Sequence, residues 1–98
     1  MDTQTSALHE VRLDQVASQL SSSGARTVLD LGCGSGALLQ RLLESDAFER
    51  VVGLESSGIS LRGARDRLAP WLAMPNPPVS LLRGSFQDPN DACKGFDA

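Results

Sequence analysis

Apolar residues recur along the chain at helical spacing in three segments, with short apolar runs between them. In the segment 6–23 they fall at i, i+3, i+4 and i+7, and they are Leu13, Val16, Ala17 and Leu20. This stripe predicts an amphipathic helix. A second helix is predicted over Ala37–Ser45 by a stripe of Leu38, Leu39, Leu42 and Leu43. A third is predicted from a cap at Ser57 to about Ala69, with three inward residues, Leu61, Ala64 and Leu68.

The short apolar runs between these segments predict strands. Thr27–Leu31 is apolar on both faces, as in a strand buried between helix layers. Arg50–Glu55 and Val79–Arg83 are the predicted second and third strands, and residues 96–98 ("FDA") look like the opening of a fourth. Strands that alternate with helices predict a parallel α/β sheet. Because a doubly wound sheet usually has more strands than this, we expect residues 1–98 to be the N-terminal half of a larger domain.

Turn-forming residues mark the ends of the predicted helices. Gly24 follows three serines and is a natural stop for the first helix. Pro70 disfavours helix at the residue before it and so helps to end the third. We interpret residues 70–78 as a proline-rich connector and residues 84–95 as a loop.

Composition narrows the class of protein. Hydrophobic residues make up 41% and charged residues 21%, as in a soluble globular domain. No apolar run approaches the ~20 residues of a membrane helix, and the N-terminus lacks the pattern of a signal peptide. Cys33 and Cys93 are sixty residues apart without CxxC spacing, which favours two reduced thiols. We therefore expect a cytoplasmic protein with no membrane partner. The net charge of −3 gives no general attraction to nucleic acid, so any such surface would be local.

The candidate chemistry lies where the predicted strands end. In an open parallel sheet, ligands bind beyond the carboxyl ends of the strands, at the point where the strand order reverses. Three such ends carry distinctive residues, at 30–36, 55–56 and 84–86. Glycines let the backbone turn sharply near a ligand, and the start of the following helix suits a carboxylate or a phosphate. A carboxylate at Glu55 is able to accept two hydrogen bonds from a ribose diol.

Two cofactor classes fit this pattern. The dinucleotide fingerprint G-x-G-x-x-G/A is met in its weak form by Gly32, Gly34 and Ala37. The alternative is an acid two positions before a G-x-G-x-G loop, as in S-adenosylmethionine (SAM) methyltransferases, which Asp30 and the glycines at 32, 34 and 36 meet in full. Asp30 favours the second class, because an acid there serves the methionyl cation of SAM but would repel a pyrophosphate.

The motifs "VLDLGCGSGALLQRLLES", "VVGLESS" and "LLRGSFQD" resemble the first three motifs of a class I SAM-dependent methyltransferase. The closest resemblance is to the HEN family, the small-RNA 3′-terminal ribose 2′-O-methyltransferases. It rests on "LHEVR", "FERVVGLE", "LRGARDRLAP", "RGS" and "GFDA" and spans nearly the whole chain. The resemblance implies a Rossmann-like three-layer sandwich, of which this chain supplies three parallel strands and the start of a fourth.

The resemblance also implies roles for individual residues. The loop against the methionyl and ribose parts of SAM would consist of Asp30, Gly32, Cys33, Gly34 and Gly36. Glu55 would hold the ribose hydroxyls and Ser56 would lie beside the adenine, whose edge Ser85 and Phe86 would line. Glu55 departs from the Asp usual in the family, and its extra methylene shifts the carboxylate by ~1.5 Å.

The family's catalysis uses a divalent metal, Mg or Mn, held by a Glu-x-x-Glu-His motif just after the fourth strand and by a further His. The metal would grip the 2′- and 3′-hydroxyls at the 3′ end of the small RNA substrate. None of those ligands occurs in this sequence. We therefore expect no catalytic residue and no metal ligand here, and no methyl transfer by these 98 residues without the remainder of the domain.

Several other residues have a structural reading that is favoured over a chemical one. Cys33 is interpreted as a packing residue rather than a nucleophile, and His9 as a surface helix residue rather than a ligand. The connector residues interpreted as covering the sheet edge or the core are Trp71, Leu72 and Met74. Solvated positions rather than RNA or metal contacts are predicted for two sets, the arginines Arg62, Arg65 and Arg67 and the aspartates Asp88, Asp91 and Asp97.

Three functions remain open at this point. The first is a SAM-dependent methyltransferase that acts on the 3′-terminal ribose of small RNA. The second keeps the SAM site and acts on a small molecule or a protein. The third is a non-catalytic nucleotide-binding module. Binding of S-adenosylhomocysteine (SAH) and of NAD separates the third from the others.

Overall fold

The structure is a computed structural model, which describes residues 3–84 and 95–98. Helices and strands alternate along it as predicted. In chain order the elements are α1 Thr3–Ser22, β1 Thr27–Leu31, α2 Ala37–Glu44, β2 Arg50–Glu55, α3 Gly58–Arg67, α4 Ala69–Leu72 and β3 Val79–Arg83. The three strands have the predicted bounds. None of the helices in these parts of the chain is both long and apolar enough to cross a lipid bilayer.

The strands form one parallel sheet in the order β1-β2-β3. The other edge of β1 is bonded to the end of the chain: Ala98 N–H donates to Thr27 O at 3.1 Å, and Leu29 N–H donates to Ala98 O at 2.7 Å. These two bonds have the pattern of a parallel ladder. Residues 97–98 therefore lie beside β1 on the side away from β2, where the fourth strand is expected, although they are not themselves part of a strand. The fold is α/β with a parallel sheet flanked by helices.

The core lies between the sheet and its helices. The largest fully buried side chains of the described residues are Leu39, Leu42, Leu68 and Val51. The α2 stripe is confirmed, since three of its four leucines are buried and Leu38 packs partly buried against the core. The predicted inward residues of α3 are also confirmed, because Leu61, Ala64 and Leu68 are at most 2% exposed.

Three details differ from the expectations drawn from periodicity. Val16 of the α1 stripe is 41% exposed, while Ala17 and Leu20 pack against the core. The segment after α3 is not simply a connector, because Pro70 occupies the first turn of the short helix α4, where a missing N–H costs nothing. This helix packs Trp71 and Leu72 against the core as expected, but Met74 is 47% exposed and is not among the residues packed against the core cluster.

Candidate functional site

The glycine loop that follows β1 is fixed by the neighbouring strand. The carbonyl of Leu54 in β2 accepts hydrogen bonds from the N–H groups of Gly32 at 2.7 Å and Cys33 at 3.0 Å. Gly34 has a φ of +58°, in the left-handed region where a side chain costs energy. The alternate glycines therefore let the loop double back over the carboxyl end of β2 and still enter α2.

The Glu55 carboxylate joins the glycine loop to the start of α3. Its Oε2 accepts from the N–H of Ser57 and its Oε1 from the N–H of Gly34, each at 2.8 Å. These bonds lower the pKa of Glu55, because they stabilise the ionised carboxylate. A carboxylate has about four lone-pair sites, so its oxygens are able to accept from a ligand diol in addition to these two bonds. The side chain is partly exposed and so accessible to such a ligand.

Asp30 lies at the end of β1 in a less favourable environment. Burial raises its pKa, and the negative charge of nearby Glu55 raises it further. Two carboxylates lie close together here, and one of them is poorly solvated, so a positive charge beside Asp30 would stabilise both. A cationic group of a ligand would supply that charge.

A cavity of about 360 Å³ opens beside the glycine loop. Its lining includes Asp30, Gly32, Cys33 and Gly34, which the sequence pattern groups together. The sequence did not indicate the lining from α1, which consists of His9 and Leu13. His9 is exposed, as predicted for a surface residue, yet it faces the cavity. The apolar stripe of α1, which contains Leu13, predicted that this face of the helix packs against the rest of the protein. It did not indicate that the same face reaches the glycine loop.

Cys33 is a packing residue of the loop. It is 8% exposed and belongs to the core cluster. Burial, followed by the charges of Asp30 and Glu55, raises the pKa of its thiol to about 11, which keeps it protonated at neutral pH. Cys33 also packs close to Gly53 of β2, where an added Cβ would lie 2.9 Å from its Sγ and 2.6 Å from Leu39 Cδ1. Gly53 is thus required for the loop to pack on β2, a role that the sequence pattern did not indicate.

The remaining predicted site residues are placed less directly. Gly36 is the N-cap of α2, and a Cβ there would lie 3.3 Å from Ala64 Cβ, so it packs against α3 and does not line the cavity. Ser56 is exposed directly after Glu55. Ser85 and Phe86 lie outside the described residues, as do Asp88 and Asp91. Asp97, predicted as a surface residue, is exposed and accepts from the N–H groups of Arg26 at 2.9 Å and Thr27 at 3.2 Å.

The donor set fits SAM better than it fits a metal. Asp30 offers a carboxylate to a cation, Glu55 offers its carboxylate oxygens to a diol, and the start of α2 faces the cavity through Ala37 and suits a carboxylate. Across residues 3–84 and 95–98 there is no group of three or more His, Cys, Asp or Glu side chains arranged to hold a metal ion. The charges and hydrogen-bonding groups of this site are thus suited to the parts of a SAM molecule.

The parallel sheet, the glycine loop and the terminal acid of β2 together define an α/β protein of the class I SAM-dependent methyltransferase type. The model of the methyltransferase domain family matches residues 28–98. The chain therefore belongs to the methyltransferase domain family.

Similar proteins agree on the class and differ in substrate. The crystallised methyltransferase domain of bacterial CtHen1-C is 36% identical, with a TM-score of 0.78 over 92% of this chain and 47% of that one. The tRNA U34 carboxymethyltransferase of Shewanella putrefaciens is 44% identical over 69 residues, 70% of this chain and 20% of that protein. The ubiquinone biosynthesis O-methyltransferase of Xylella fastidiosa is 46% identical over 48 residues, 49% of this chain and 19% of that protein. This chain thus spans about half of the solved Hen1 domain and about a fifth of these curated relatives.

Proposed function

We propose that the protein is a SAM-dependent methyltransferase that modifies the 2′-hydroxyl of the 3′-terminal ribose of small RNA. The observation that supports the RNA substrate is the similarity to the Hen1 methyltransferase domain, at 36% identity over 92% of this chain. The motifs around the glycine loop, β2 and β3 support the same family. In this proposal residues 1–98 supply cofactor binding.

The proposed binding mode follows from the charges at the site. The ammonium group of the methionyl part lies near Asp30, whose pKa is raised by burial and by the negative charge of Glu55. The ribose diol donates to Glu55, which the N–H groups of Gly34 and Ser57 already hold in place. Because these groups are fixed before the cofactor arrives, little ordering is needed on binding. Methyl transfer is an in-line displacement that depends mainly on such positioning.

A divalent metal remains part of the proposal for the catalytic step. We propose that it is held by residues other than these 98, as in the HEN family, and that it makes the ribose 2′-oxygen a better nucleophile. Residues 1–98 would then bind the methyl donor without activating the acceptor. Addition of EDTA should abolish methyl transfer and leave the affinity for SAH unchanged.

The curated relatives favour a second candidate. Several Shewanella tRNA U34 carboxymethyltransferases are 41–44% identical over 69 residues, which supports U34 of a tRNA as the acceptor. Both candidates share an RNA substrate and the same glycine loop. They differ in the atom that is modified and in the group that is transferred, a methyl group in the first and a carboxymethyl group in the second, which makes them separable by experiment.

In the test, the full gene product is incubated with labelled SAM and with three RNA oligonucleotides that differ only at the 3′-terminal ribose. One oligonucleotide ends in a free 2′,3′-diol, one in a 2′-O-methyl group and one in a 2′-deoxy sugar. The proposal predicts label only in the diol. Equal labelling of all three would overturn the assignment of the 2′-hydroxyl. Transfer of a carboxymethyl group to U34 of a tRNA, from a donor that carries that group rather than from SAM, would favour the second candidate.

A further inference from the structure

A second cavity, of about 500 Å³, lies at the start of α3 and is lined by three arginines, Arg62, Arg65 and Arg83. Arg62 and Arg65 are three residues apart on α3 and so share one face of the helix. Arg83 reaches the same cavity from the end of β3 and passes close to Gly58. A Cβ added to Gly58 would lie 3.4 Å from the guanidinium carbon of Arg83. We call this feature the arginine cavity.

The arginine cavity is positive in a chain whose net charge is negative. No acidic residue lines it among the described residues, although the chain carries 12 acidic and 9 basic residues. The ion pairs of the described residues involve Arg26 and Arg41, and Arg67 of α3 bonds Gln40 instead of facing the cavity. Three exposed guanidinium groups around one concave space are suited to a polyvalent anion, because each offers several donors in a fixed plane.

We propose that the arginine cavity binds a backbone phosphate of the RNA substrate. This inference rests on the proposed function, since it requires that RNA is the acceptor. SAM carries no phosphate, so a phosphate site beside its binding site has to serve another molecule. The sequence pattern favoured solvated positions for Arg62 and Arg65 because it did not bring Arg83 to them.

An apolar side chain at the rim favours a nucleotide over a free phosphate ion. Ile59 lines the arginine cavity and is 86% exposed. A bound ion would gain nothing from it, whereas a ribose or base attached to the phosphate would cover it and remove apolar surface from water.

The position of the arginine cavity assigns it to a nucleotide away from the reacting one. Arg83 is in register with Glu55, so the cavity lies next to the acid that is expected to hold the cofactor ribose. The arginine cavity shares no lining residue with the cavity beside the glycine loop. A phosphate in the arginine cavity therefore lies outside the proposed cofactor cavity, and its role is to hold the RNA strand rather than to take part in methyl transfer.

The test measures binding of a fluorescent single-stranded RNA by the full gene product as a function of salt concentration. The Arg62→Gln/Arg65→Gln double variant should bind on the order of tenfold more weakly, and its salt dependence should fall by about 0.7 in log–log slope, the value for one lost phosphate contact on a single strand. Arg67→Gln, on the same helix but outside the cavity, is the matched control and should change neither quantity appreciably. SAH affinity and the urea midpoint should be unaltered in every variant, which verifies folding.

Three outcomes separate this inference from the proposed function. Loss of RNA affinity only in the double variant supports it, provided that inorganic phosphate at millimolar concentration does not compete as well as the RNA does. If the double variant and Arg67→Gln bind RNA alike while the protein still methylates RNA, the phosphate site is wrong and the proposed function stands. If the unmodified protein binds SAH but neither binds nor methylates RNA, both are wrong.

Discussion

Substitution of Gly53 by alanine places a methyl group where the structure has no room. The new Cβ would lie 2.6 Å from Leu39 Cδ1, 2.9 Å from Cys33 Sγ and 3.1 Å from Cys33 Cβ. Leu39 is fully buried and Cys33 is 8% exposed, so neither has solvent to move into. Cys33 belongs to the glycine loop, so any shift that relieves the contact moves the loop as well.

The expected cost follows from this overpacking. An extra methyl group in a well-packed core costs about 1–3 kcal/mol. We therefore expect Gly53→Ala to lower the free energy of unfolding by that amount, seen as a lower urea midpoint at an unchanged slope. We also expect weaker SAH binding, because the loop and the Gly34–Glu55 bond are displaced together.

Gly63 offers a matched control with the opposite sign. A Cβ there would lie 3.6 Å from Ser35 Cβ, an ordinary contact, and Gly63 lies inside α3. Gly63→Ala should therefore raise the free energy of unfolding by up to about 1 kcal/mol, since alanine is the better helix former. The same chemical change should thus destabilise at one site and stabilise at the other.

An unchanged urea midpoint and SAH affinity in Gly53→Ala would show that this explanation is wrong. A double-mutant cycle gives a second check. Leu39→Ala removes the carbon that the new methyl meets first, at a cost of about 2–5 kcal/mol on its own. Because the two changes compensate, Gly53→Ala with Leu39→Ala should cost less than the sum of the single variants. Simple additivity would show that the contact is not the cause.

Three further predictions concern the acidic residues. Glu55→Asp should weaken SAH binding in calorimetry, because the shorter side chain loses its bond to the N–H of Gly34. An SAH affinity equal to that of the unmodified protein would contradict the proposed role of Glu55 in holding the cofactor ribose. Asp30 has a folded pKa raised above its unfolded value, so its contribution to stability is greatest below the unfolded pKa and is lost as pH rises through the folded one. Asp30→Asn should therefore stabilise the cofactor-free protein against urea at pH 7 and weaken SAH binding, and a destabilised variant would count against this. Asp97 has a lowered pKa, so its contribution to the free energy of unfolding is present above its unfolded pKa and is lost as pH falls through its folded pKa. Asp97→Asn should therefore lower the free energy of unfolding at pH 7. In urea titrations below about pH 4, the difference in stability between this variant and the unmodified protein should shrink progressively.

The sequence determined the strands and the glycine loop well because these depend on local patterns. Thr27–Leu31, Arg50–Glu55 and Val79–Arg83 are short, mostly apolar segments, and the structure has strands with those bounds. Alternate glycines after an acid have few other uses than a tight loop at a strand end. The place of Glu55 beside that loop followed from the parallel topology alone, since strand ends in such a sheet share one edge.

The parts that the sequence did not predict depend on contacts between distant segments. In the sequence, Gly53 is a residue with a low preference for a strand. That a glycine is required there becomes apparent only when Leu39 and Cys33 are packed against it. Arg62 and Arg65 have a helical spacing that fits any solvated face, and only the β2–β3 register brings Arg83 to them. The reach of Glu55 to the Gly34 N–H likewise depends on how the loop folds back over β2.

The proposed SAM-binding site consists of Asp30, the glycine loop and Glu55. Calorimetric titration with SAH, and separately with NAD, tests this assignment, with far-UV circular dichroism to verify that the protein is folded. We predict saturable binding of one SAH per chain, lost in Glu55→Ala, and no binding of NAD. A folded protein that binds NAD more tightly than SAH, or that binds no SAH, would contradict the assignment.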